Sequence, residues 1–99
     1  MTVFFVTRHP GALDWAAQQG IAFDTHATHL EPNQISAGDT VIGSLPVHLA
    51  AAVCACGARY LNLSLDLPSH LRGLELDAAT LEECAARVEE YAVVRKESA

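Results

Sequence analysis

Arg8 and His9 follow directly on an apolar run, Val3-Phe4-Phe5-Val6, and are followed by Pro10-Gly11. Arginine offers a fixed fork of donors that pairs with two phosphate oxygens, and its charge can stabilise the added negative charge of a pentacoordinate phosphorus. Histidine titrates near neutrality and can move a proton to or from an attacking or leaving oxygen. Side by side the two could break a phosphodiester without a metal. The ordinary alternative is structural, with Arg8 in an ion pair and His9 capping a helix.

Position favours the chemical reading. β-Branched and aromatic residues suit a buried strand, and proline suits a first helical turn, so the run reads as a strand feeding a helix with Arg8 and His9 in the turn between. In an open α/β sheet the ligand crevice lies just beyond the carboxyl ends of the strands, where helix amino-termini present free N–H groups to anions. Ser44-Leu45-Pro46 repeats the device after a second strand, Thr40 to Gly43. Ser44 there can cap the following helix or donate to a phosphate oxygen.

The chain has 99 residues, 51% of them hydrophobic, which predicts one folded domain over residues 1–99. A domain this small can leave part of a helix or sheet uncovered, so a homodimer is expected. Twelve acidic residues oppose six basic ones for a net charge of −6, a poor balance for gripping a long nucleic acid. A small anion in a crevice is still compatible with it, since local fields can oppose net charge. Cys54, Cys56 and Cys84 are odd in number and lack Cys-x-x-Cys spacing, and read as small buried hydrophobes in a reducing compartment. No long apolar span or secretion signal is visible, which predicts a cytoplasmic chain without a membrane partner. No phosphate-binding glycine loop, carboxylate cluster or metal-ligand motif occurs, so no metal or other cofactor is expected.

In chain order, Pro10 to Gln19 is predicted as a helix, with Leu13, Ala16 and Ala17 facing the sheet and Gly20 as its stop. Trp15 can serve the core, a partner surface or base stacking. Ile21 to His29 is a weaker strand, with His26 and His29 on opposite faces and His29 near the crevice. Leu30 to Asp39 has turn composition and crosses over without a full helix, its ten residues reaching about 33 Å when extended. A helix from Pro46 to Cys56 and a strand from Ala58 to Ser64 follow. Ser69 to Leu76 is a loop carrying Arg72. The apolar spacing from Leu81 to Ala92 predicts a last helix from about Asp77 to Arg95, with Glu82, Glu83, Glu89 and Glu90 on a solvated face.

These elements make a small Rossmann-like α/β sheet of mainly parallel strands flanked by helices, with strand order 2-1-3-4. Thr7, Arg8 and His9 then stand beside Gly43 and Ser44, with Ser64 and Asp66 one strand away. Asp66 is awkward beside an anion and better suited to orienting Arg8, His9 or a backbone N–H, or to binding a ribose hydroxyl. Arg72 can cover a ligand or simply be solvated.

Arg8-His9 resembles, over these few residues, the Arg-His-Gly motif of the histidine phosphatases, with Pro10 in place of the glycine. A resemblance spanning nearly the whole chain is carried by Phe5 to Ala12, Gly38 to Pro46, Gly57 to Pro68 and Arg72 to Leu76. In these stretches and their order the chain resembles a small CRISPR-associated family encoded beside type III CRISPR systems and related to the CRISPR-associated Rossmann-fold (CARF) sensors. The resemblance implies a ring nuclease, a dimer that linearises a cyclic oligoadenylate messenger, most simply cyclic tetra-adenylate, to switch off the antiviral response. It implies Arg8 and His9 as the catalytic residues, with His9 as general acid or base or with Arg8 alone sufficing by holding the ring in line, and Thr7, Gly43, Ser44, Ser64, Asp66 and Arg72 around the ligand. A non-catalytic sponge or sensor would need the same pocket, and a phosphohydrolase is a third reading.

Overall fold

The computed structural model describes residues 1–97. Five strands form one sheet: β1 (Val3–Val6), β2 (Thr25–Ala27), β3 (Thr40–Gly43), β4 (Arg59–Ser64) and β5 (Arg87–Tyr91). Three helices accompany them: α1 (Pro10–Gln18), α2 (Val47–Ala55) and α3 (Ala78–Glu83). The strand order is β2-β1-β3-β4-β5, the first four parallel and β5 antiparallel to β4. The fold is thus a small Rossmann-like α/β sheet, with the predicted 2-1-3-4 order extended by one strand.

Alternation along the strands builds two cores. Phe5, Ile42 and Leu63 point to the face covered by α1 and α3, where they meet Trp15, Ala16 and Leu81. Val6, Val41 and Tyr60 point to the opposite face, where they meet Ala50 and Val53 of α2 together with Leu30 and Ile35. Trp15 is 2% exposed and donates its indole N–H to Glu82 Oε1 at 2.9 Å, which joins α1 to α3. It belongs to the core, and Glu82 is engaged rather than merely solvated. Along α1 it is Ala12 that is buried, while Ala17 is exposed.

Several predicted boundaries change. The strand expected from Ile21 to His29 is only Thr25–Ala27. Ile21 N–H bonds Ala16 O at 2.9 Å at the end of α1, and the Phe23 ring packs tilted against Phe5 with centroids 5.3 Å apart, so these contacts hold Ile21 to Phe23 off the ladder. The Leu30 to Asp39 crossover holds a short 3-10 turn at Pro32–Gln34, and the loop after β4 holds another at Ser69–Leu71.

The expected last helix is instead α3 followed by β5. It stops because Ala86 N–H bonds Leu81 O and Ala85 N–H bonds Glu82 O, both at 3.0 Å, with Ala85 left-handed at φ 57°. That is a Schellman stop made with alanine where glycine is usual, so the sequence carried no glycine to mark it. Beyond it, Val88 reaches the core while Arg87, Glu89 and Tyr91 lie on the other face, the period-two pattern of a strand. Cys84 is buried as expected, but Cys54 is only partly covered and Cys56 is exposed. Among the described residues no helix is long and apolar enough to cross a membrane.

Asp39 anchors the amino-terminal end of the sheet. It is 6% exposed, and its carboxylate accepts the Thr2 and Ser36 N–H groups at 2.9 Å each. These bonds, the Thr2 one foremost, hold its carboxyl below the usual aspartate range. A carboxylate depressed in the folded state stabilises the fold fully above its unfolded value of about 3.9, and that contribution is lost as pH falls through the folded value. Asp39→Asn should lower the melting temperature at neutral pH and shrink the further loss below about pH 4. Melts of both proteins over an acid series check this, and parallel acid limbs would refute it. Asp77, held low by Thr80, leaves a residual slope in both.

Candidate functional site

The strand order reverses between β1 and β3, and a cleft of about 470 Å³ opens at their carboxyl ends. Thr7, Arg8 and His9 line it from the turn after β1, Thr28 and His29 from the turn after β2, and Ser44 and Pro46 from the turn after β3. Leu63, Leu65, Leu67 and Leu76 supply much of an apolar wall. Parallel pairing sets these turns side by side, since Val6 is in register with both Ala27 and Gly43.

Two glycines make the close approaches possible. A Cβ on Gly43 would lie 2.6 Å from Val6 O, and one on Gly11 would lie 2.0 Å from Leu76 O. Gly11 therefore lets the Leu76–Asp77 backbone rest on the first turn of α1, which sets Leu76 against the cleft. Pro10 opens α1 at its first turn as predicted, and α2 begins one residue after Pro46. Neither helix has a side-chain cap. Ser44 does not cap α2, whose N-cap position is Pro46, two residues on; its hydroxyl donates instead to Leu63 O at 2.6 Å. His9, at the N-cap position of α1, makes no capping bond from its ring, and its N–H bonds Thr7 Oγ1 at 3.1 Å.

Beneath the cleft lies a polar relay that the sequence reading did not include. Tyr60 Oη accepts the Leu45 N–H at 3.1 Å and donates toward Asn62 Oδ1 at 2.5 Å. Asn62 Nδ2 in turn donates to Ser64 Oγ at 2.7 Å. Burial pushes the Tyr60 phenol above its usual range, which keeps it a protonated donor. The available signal was the alternation Tyr60, Asn62, Ser64 on one strand face.

The predicted site residues divide accordingly. Thr7, Arg8, His9 and Ser44 meet on the cleft. Gly43 is buried behind it, and Ser64 ends the relay. Asp66 faces Arg87 at 3.4 Å, orienting neither Arg8 nor His9 among the described residues. Arg72 follows the Ser69–Leu71 turn, beside a second depression of about 570 Å³ that shares Arg8 and His9 with the cleft.

The arginines differ in engagement. Arg59 grips Glu90 through two bonds of 2.9 Å, which raises its own proton affinity and lowers that of Glu90. Arg87 reaches Asp66 and Glu89. Arg8 is exposed and has no carboxylate partner among the described residues. Its guanidinium is available to an anion in the cleft, beside His9 and two uncapped helix starts.

Tyr60→Phe removes the acceptor for the Leu45 N–H and breaks the relay, and should cost about 1–2 kcal/mol of stability. Denaturant unfolding of both proteins measures it, and no change would mean that water replaces the phenol.

The chain matches over residues 4–94 the family described as "Putative CRISPR-associated protein (Cas_VVA1548)". No curated protein and no solved structure matches it. With nearly its whole length covered, arginine-histidine turn included, the chain belongs to this CRISPR-associated family.

Proposed function

We propose that this protein is a metal-independent ring nuclease, related to the CRISPR-associated Rossmann-fold sensors, which binds a cyclic oligoadenylate and linearises it. The observation that carries the reading is the unengaged Arg8 guanidinium beside His9, on a cleft at the strand-order switch point. The ligand's 2′-hydroxyl attacks the adjacent phosphorus, the bond to the 5′-oxygen breaks, and linear adenylates with 2′,3′-cyclic phosphate ends result. Arg8 binds the phosphate and stabilises the phosphorane. His9 exchanges a proton with the reacting oxygens. Thr7 and Ser44 shape the pocket, and Arg72 closes over the ligand from the neighbouring loop. Membership of a CRISPR-associated family supports the choice of this messenger over other phosphodiesters.

The same reading calls for a homodimer, because one cleft of about 470 Å³ suits a single drug-sized ligand and not a ring of four nucleotides. α2 supplies the surface. It buries Ala50 and Val53, yet its outer side is also apolar: Val47 is 74% exposed, and Ala51 and Ala55 follow along a groove shared with Val93 and Val94. Arg95 and Glu97 line the same groove, so a second copy related by a twofold axis can set each against the other's opposite charge. Val47 is next to Pro46 of the cleft, and pairing there brings two clefts together.

Excess protein incubated with cyclic tetra-adenylate in chelator should yield linear cyclic-phosphate products by chromatography and mass spectrometry. Arg8→Ala should slow their formation by about 10²–10³. Tight binding with an intact ring would make the protein a sponge, and inorganic phosphate release would point to a phosphohydrolase. Light scattering should give a dimer that Val47→Glu converts to a monomer with weakened ring binding. A monomeric parent protein would refute the dimer.

A further inference from the structure

Of the ionisable side chains among the described residues, the cleft is lined by three: Arg8, His9 and His29. His29 lies in the bend that closes β2, and its Nε2 is 3.5 Å from Glu31 Oε1. Both side chains are open, at 66% and 59% exposure, so a ligand in the cleft can reach the ring. The other histidines stand elsewhere. His26 Nε2 lies 3.0 Å from Thr7 O, His48 lines the α2 groove, and His70 sits in the turn after β4.

A carboxylate at Nε2 favours the hydrogen on that nitrogen and leaves Nδ1 as the acceptor. It also stabilises the imidazolium formed when Nδ1 takes a proton. Transesterification of a phosphodiester moves two protons, one off the 2′-hydroxyl and one onto the departing 5′-oxygen, and two imidazoles on one cleft divide that work.

Resting on the ring-nuclease reading, we infer that His29 is the general base of this cleft and Glu31 its positioning residue. Nδ1 of His29 takes the 2′-hydroxyl proton as the 2′-oxygen bonds to phosphorus. The bond from phosphorus to the 5′-oxygen breaks with its electron pair on that oxygen, which takes a proton from the His9 imidazolium. The two rings end in exchanged protonation states and are reset through water. The charged and titratable groups around His29 are Glu31 on its own loop, Arg8 and His9 across the cleft, and His26 on β2.

The test is single-turnover cleavage of cyclic tetra-adenylate, and of an analogue whose 5′-bridging oxygens are sulfur, a leaving group that needs no proton. His29→Ala should slow the natural ring by about 10²–10⁴, flatten the rise of rate on the acid side of the pH profile, and keep ring affinity and melting temperature near those of the parent. Sulfur should rescue His9→Ala and leave His29→Ala slow. Glu31→Gln should lower the rate at unchanged affinity, and Glu31→Asp should recover part of it. A His29→Ala rate within twofold of the parent, or its rescue by sulfur, overturns the assignment and leaves the ring nuclease standing. A parent protein that cuts neither ring overturns both.

Discussion

The parallel pairing of β1 with β3 is the constraint on which the rest depends. Val3 to Val6 lie in register with Thr40 to Gly43, and the pair ends where Val6 O occupies the space that a Cβ on Gly43 would need. From that point the chain leaves β1 for α1 on one face of the sheet and leaves β3 for α2 on the other. The two exits diverge, and the gap between them is the cleft. Both helices begin there uncapped, so their free N–H groups open onto the same space as Arg8 and His9.

Rigidity and exposure are separated within the site. Behind the cleft, the Ser44 hydroxyl bonds Leu63 O and the Leu45 N–H bonds Tyr60 Oη, which ties the end of β3 to β4, and Asn62 and Ser64 continue the bonds along β4. Arg8, His9 and His29 stand exposed on the cleft itself. An anion entering the cleft would meet a hydrogen-bonded wall and exposed Arg8, His9 and His29, with the Arg8 charge opposing the net charge of −6. Elsewhere Arg59 is engaged by Glu90 and Arg87 by Asp66 and Glu89, whereas Arg72 and Arg95, outside the cleft, have no carboxylate partner among the described residues.

The antiparallel β5 completes the sheet by covering the edge of β4. An uncovered β4 would offer a row of unpaired backbone groups to other chains. The new edge, β5, carries Arg87, Glu89 and Glu90, and the opposite edge, β2, is only Thr25–Ala27. Charge and shortness are common ways of blunting an edge. The outer side of α2 has no such protection, and there Val47 and Val94 leave apolar surface exposed.

The parallel core and its turn were legible in the residues themselves, because the information is local. Four apolar residues before Arg8, a proline at the first turn of α1, and the same device near Pro46 need no distant contact to be read, and the right-handed crossover rule then orders the strands. Tertiary structure decided what depends on partners far away in the chain. Leu81, Cys84 and Val88 recur at helical spacing, yet Ala85 turns left-handed and Val88 joins a ladder opposite Leu63, which local spacing cannot anticipate. Ser44 bonds Leu63 O instead of a helix start, and Asp66 faces Arg87, because β4 and β5 bring those partners within reach. His29 shares the cleft with Arg8 and His9 for a like reason: parallel pairing of β1 and β2 puts the turns that follow them at one end of the sheet, although nineteen residues separate His9 from His29.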